Sequence, residues 1–124
     1  MQFLPALISA LVMVESGGVD VSEYRRDGVS ETVVAGDNGK ALGCLQIHEE
    51  VVRDVNRIYG TRYRHKDVLK PGIAKRICYL YLTHYAGVGA TAEQCARIWN
   101  GGPRGHKKAA TKKYWQKVLQ FYRG

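Results

Sequence analysis

Glu15 closes an apolar stretch, LISALVMVESGG over residues 7–18, and is the first candidate for acid–base chemistry. In a helix its side chain lies over Leu11 and Val12, with Ile8 one turn further back. A carboxyl among apolar neighbours is poorly solvated as an anion, so its pKa rises. Held protonated near neutral pH, it can donate a proton to a leaving oxygen, the first need of glycosidic cleavage. Taken alone, a helix-terminal glutamate facing solvent is the plainer reading.

Such chemistry needs a second carboxylate to steady or attack the cationic sugar centre. Asp37 is the best placed, at the head of an Asp37-Asn38-Gly39 turn signal. An aspartate there also serves simply to hydrogen-bond its own backbone. Asp20, Asp27 and Glu31 are the reserve candidates, and spacing does not choose among them. In ARIWNGGPRG (96–105), Asn100, two glycines and Pro103 put polar backbone where another chain could approach closely. Plain helix termination explains the same residues. Tyr114 and Trp115 could stack on sugar rings, although Trp115 also suits the core.

Five helices and one hairpin must position these groups. Residues 7–18 read as a core helix, with Pro5 in its first turn and Gly17-Gly18 at its end. Residues 19–31 are polar and read as loop. TVVAGDNGKALGCLQI (32–47) has two apolar runs about the Asp-Asn-Gly turn, predicting a small β-hairpin. EEVVRDVNRIY (49–59) puts Val51, Val52, Val55, Ile58 and Tyr59 on one helical face. PGIAKRICYLYLTHYAG (71–87) repeats Ile73, Ile77, Leu80, Tyr81 and Tyr85 at helical spacing. TAEQCARIWNGG (91–102) opens on the capping-box pattern Thr91-x-x-Gln94. TKKYWQKVLQFY (111–122) has Thr111 as a cap candidate and sends Trp115, Val118, Leu119 and Tyr122 inward. The expected class is mainly α, as one domain over residues 1–124.

The net charge of +8 is uneven: from Arg104 onward there are seven Lys or Arg and no acid. That favours an anionic partner but names only its sign. Three cysteines close at most one disulfide, and buried free thiols are the expected state of Cys78 and Cys95. Neither the cysteines nor the four histidines show metal-ligand spacing, so no metal or organic cofactor is expected. No apolar run approaches the ~20 residues of a membrane span. With no Lys or Arg in the first fourteen residues and no A-x-A-like site, the first helix does not read as a signal peptide.

VESGG, GDNGKALGCLQI, ARIWNGGPRG and TKKYWQKV together resemble, in the same order, the lysozyme-like superfamily. Soluble lytic transglycosylases carry a Glu-Ser on the first core helix, a G-x-x-Q-I strand, an N-x-G-P turn and a late tyrosine. Invertebrate-type (destabilase) lysozymes match more closely in D-x-G-x…G-C/Y-x-Q-I, N-G-G-P and T-x-x-Y-W-x-x-V. The resemblance spans roughly residues 7–118. It implies an α+β lysozyme-like fold whose small hairpin flanks a cleft, with Glu15 as general acid and Asp37 as second carboxylate. Asp37 stands one residue nearer the G-x-x-Q-I glycine than in the invertebrate pattern.

By the same resemblance Gln46 and Ile47 edge the glycan cleft, Asn100 meets an N-acetyl sugar, and Tyr114 sits near the acid. The implied substrate is the β-1,4 link between N-acetylmuramic acid and N-acetylglucosamine in peptidoglycan. Cysteine poverty departs from the invertebrate family and favours a bacterial or phage origin. The basic C-terminal segment would then meet the anionic cell wall, with no nucleic acid or membrane span expected and a monomer at work. Two alternatives stay open: a lytic transglycosylase using Glu15 alone, and a basic helical module gripping nucleic acid through residues 104–123.

Overall fold

A computed structural model describes residues 1–18 and 35–123. Among them run α1 (Leu4–Ser16), β1 (Ala35–Gly36), β2 (Ala41–Leu42), α2 (Glu49–Tyr59), α3 (Pro71–Ala86), α4 (Ala92–Gly101) and α5 (Lys112–Leu119). Short 3-10 turns occupy His65–Leu69, Gly105–Lys107 and Ala109–Thr111. The expected class, mainly α with one small hairpin, is what forms. The predicted loop over residues 19–31, with Asp20, Asp27 and Glu31, lies outside the described residues.

α1 is buried on most sides through Leu4, Leu7, Ile8, Ala10, Leu11 and Val12, and Gly17 ends it in the left-handed region. Its neighbours include α3, α4 and α5, so it runs through the centre of the core. α2 buries Val52 and Val55, while Tyr59, expected inward, is 38% exposed and donates its hydroxyl to the Leu80 carbonyl at 2.7 Å. A phenol can cover the helix end and still keep its polar tip satisfied. Cys44, Cys78 and Cys95 are all free and fully buried. Among the described residues no helix is long and apolar enough to cross a membrane.

The capping box of α4 forms as read: the Gln94 amide donates to Thr91 Oγ1 at 3.1 Å, and the Thr91 amide to Gln94 Oε1 at 2.9 Å. Thr111 does not cap α5. Its hydroxyl instead faces the preceding loop, donating towards the Gly105 and Lys108 carbonyls and accepting from the buried Arg97 Nε at 2.8 Å. Arg97 also donates to Glu93 at 2.9 Å and to the Lys108 carbonyl at 3.0 Å. Gly105 packs so closely on α4 that a Cβ would collide with the Arg97 carbonyl. The glycine-rich motif is thus a tight return loop, riveted by Arg97 and Thr111 to aim α5. α5 buries Tyr114 and Val118, but Leu119, expected inward, is 43% exposed because the helix stops there.

Candidate active site

Glu15 sits in the last turn of α1, half-buried, and α5 crosses behind it. The Tyr114 hydroxyl donates to Glu15 Oε2 at 2.5 Å. Burial pushes the Glu15 carboxyl above the usual glutamate range. The Tyr114 hydrogen bond, His48 when protonated, and Lys117 pull the other way without cancelling it. Tyr114 is itself held neutral, chiefly by burial and then by the neighbouring Glu15. At 9% exposure it is a partner of the acid rather than a ring open to stacking.

Four of the sequence candidates meet in one place. A small pocket of about 150 Å³ is lined by Glu15, Gln46, Ile47, His48, Val51, Trp99 and Asn100. Asn100 is exposed at the end of α4, where its side chain is open to a ligand. Ile47 is only 1% exposed and lines the pocket as part of the core. Two wider hollows adjoin this pocket: one of about 370 Å³ shares His48, and one of about 430 Å³ shares Val51. Glu15 lines the small pocket alone among the three.

The hairpin lines the adjoining hollow through Gly39 and Lys40. Asp37 and Asn38 both take the left-handed region (φ 50° and 56°), which Asp and Asn tolerate better than most residues. The loop is closed by Gly39 donating to the Gly36 carbonyl at 3.0 Å. A second reversal follows at once, with Leu42 and Ile47 exchanging backbone hydrogen bonds. Gln46 (φ 49°) completes it, and its Nε2 donates to the Gly43 carbonyl at 3.0 Å. A Cβ on Gly36 would collide with the Gln46 carboxamide, and one on Gly43 with the Val68 carbonyl. Glycine is therefore required at Gly43, where the backbone is also left-handed (φ 78°), whereas at Gly36 the Gln46 side chain could swing aside.

Asp37 does not line the pocket. Its Oδ2 lies 2.8 Å from His48 Nε2, and His48 does. Since an ionised carboxylate only accepts, the Nε2 carries the proton of this bond. That bond, then the charges of His48 and Lys40, hold the Asp37 carboxyl below its usual range. The two carboxylates therefore differ in character: Glu15 is desolvated and biased towards its protonated form, and Asp37 is solvated and biased towards its charged form. That is the asymmetry a proton donor and an anionic stabiliser require.

Sequence reading passed over His48 and Trp99. The histidine spacing speaks only to metal binding, and the place of His48 directly after the Gln46-Ile47 pair is the available signal. Trp99, next to Asn100, packs edge-on against Tyr81 with centroids 5.6 Å apart and presents part of its ring to the pocket. Among the described residues no cluster of His, Cys, Asp and Glu is arranged to hold a metal.

The described fold is mainly α, with an acid in the last turn of its buried first helix. The chain is similar to a lysozyme from Magallana gigas, 36% identical over 69 residues that cover 44% of this chain and 50% of that protein. It spans about half the length of that curated relative. No family model matches the chain. No solved structure matches it.

Proposed function

We propose that the chain cleaves peptidoglycan as a glycosidase of the lysozyme type, at the β-1,4 link between N-acetylmuramic acid and N-acetylglucosamine. The single observation that carries this reading is the half-buried Glu15 carboxyl, raised in pKa and held by Tyr114 at the wall of a pocket. Glu15 protonates the leaving glycosidic oxygen, and Asp37 answers the positive charge that develops at the sugar carbon. Asn100 binds the N-acetyl group beside Trp99, while Gln46 and Ile47 shape the neighbouring wall. Residues 1–124 form one catalytic domain and work as a monomer with no cofactor.

The exposed lysines of α5 and the loop before it favour an anionic wall as the surface engaged. The site of action is the wall itself, in the periplasm or outside the cell, for a protein of bacterial or phage origin. Release of soluble fragments from purified peptidoglycan by the parent, and not by Glu15→Gln, tests the reading.

One observation favours a second route. Asp37 is exposed and already hydrogen-bonded to His48, outside the pocket lining. Glu15 could then act alone, as acid and afterwards as base. The sugar's own 6-hydroxyl would attack the anomeric carbon and lose its proton to Glu15, leaving a 1,6-anhydro end.

A further inference from the structure

His48 belongs to both halves of the candidate site. It lines the Glu15 pocket and hydrogen-bonds Asp37 at 2.8 Å. Although it stands at the N-cap position of α2, its side chain makes no capping bond there. The ring is turned back to the hairpin instead. Its backbone is pinned on one side by the Leu42–Ile47 bridge and on the other by α2. Asp37, by contrast, stands at a hairpin tip with its side chain 62% exposed, and His48 is its side-chain hydrogen-bond partner. An ion pair this exposed contributes little to folding stability. Its value lies in where it holds the carboxylate.

We propose that His48 is a positioning residue that holds the Asp37 carboxylate beside the Glu15 pocket for glycan cleavage. The inference rests on the wall-cleaving reading above. The charged and titratable groups facing His48 are Asp37 and Lys40 from the hairpin, Glu15 from α1, Glu49 and Glu50 from α2, and His65 across the adjoining hollow. His65 is engaged elsewhere, donating to the Ile47 carbonyl at 2.7 Å. The Nε2–H donated to Asp37 favours the ionised form of that carboxyl.

The test uses the full chain on purified peptidoglycan from pH 5 to 8, comparing the parent with His48→Ala, His48→Gln, Asp37→Asn and the Asp37→Asn/His48→Ala double variant. A positioning role predicts that His48→Ala lowers kcat about tenfold with KM little changed. His48→Gln, which keeps a side-chain donor, recovers part of the loss. In the Asp37→Asn background the His48→Ala loss disappears. Losses that multiply in the double variant, or a His48→Gln loss as large as that of His48→Ala, overturn the proposal.

Titration of the Asp37 carboxyl carbon by NMR, without substrate, separates the two levels of failure. It should move to higher pH in His48→Ala. An unmoved titration overturns the pairing. Peptidoglycan left intact by the parent overturns the wall-cleaving reading on which the proposal stands, whatever the titration shows.

Discussion

The hydroxyl of Tyr114 and the carboxylate of Glu15, 99 positions apart in the chain, meet at 2.5 Å. The contact joins the end of the buried first helix to the start of the last one. Its effect on Glu15 opposes that of burial, because a donor to the anion favours the anion. Tyr114→Phe removes only that donor. We expect the Glu15 pKa to rise further and the alkaline limb of the activity profile to move to higher pH. Activity should fall about tenfold as the acid loses its orientation. A profile unchanged in position would show that the bond does not govern the acid.

Glu15 also links stability to pH. Its folded pKa is raised above the unfolded value, so the stability it contributes is fully present below the ordinary glutamate range. That contribution is lost as pH rises through the folded pKa. Glu15→Gln removes the buried charge while keeping an acceptor for Tyr114. The variant should therefore melt progressively higher than the parent as pH rises from ~4.5, the gap levelling above the Glu15 pKa. A gap constant in pH would contradict the desolvation account.

The return loop after α4 offers a test of architecture apart from chemistry. Thr111→Val keeps the shape of the side chain but leaves the Arg97 Nε and two carbonyls without their hydroxyl partner. An unsatisfied buried donor costs about 1–3 kcal/mol, more for a charged group. Thermal unfolding should show a loss of about 2 kcal/mol or more, with Tyr114 and hence Glu15 misplaced as a consequence. Unchanged stability would mean that Arg97 finds other partners.

The basic surface predicts salt dependence. Lys112, Lys113 and Lys117 on α5, with Arg104, Lys107 and Lys108 before it, are all exposed, and Lys117 lies near enough to Glu15 to influence it. From ~0.01 M to ~1 M salt the Debye length falls from about 30 Å to about 3 Å. Wall lysis should fall over that range, while cleavage of a small neutral chitooligosaccharide should change little. Lysis that holds steady or climbs would remove electrostatic docking from the account.

Local signals carried much of the fold. The span 49–59 became a helix at those bounds, and the Thr91–Gln94 capping box formed, because each is decided within a few residues of chain. Thr111 departs from its expected cap for the opposite reason. Its sequence context suits a cap, but the buried Arg97 fourteen residues earlier claims its hydroxyl, a tertiary demand invisible to periodicity. Tyr59 and Leu119 followed the apolar pattern yet lie at helix ends, where the core no longer covers them.

The candidate site was legible in part. Apolar residues before Glu15 foretold its raised pKa, and the resemblance placed Gln46, Ile47 and Asn100 near it. Asp37 was legible as a turn residue, but its pairing with His48 depends on two successive reversals at 37–40 and 43–46 that no local pattern announces.

The most direct test of the central claim is the chemistry of the ends released from purified peptidoglycan, read by mass spectrometry. Parent, Glu15→Gln and Asp37→Asn should be compared on the same wall preparation. Glycosidic hydrolysis predicts reducing N-acetylmuramic acid ends from the parent, at least 10²-fold fewer from Glu15→Gln, and a comparable loss from Asp37→Asn. Anhydro ends that persist in Asp37→Asn would contradict hydrolysis by two carboxylates and leave Glu15 acting alone. Fragments released equally by the parent and Glu15→Gln would contradict the catalytic role of Glu15 altogether.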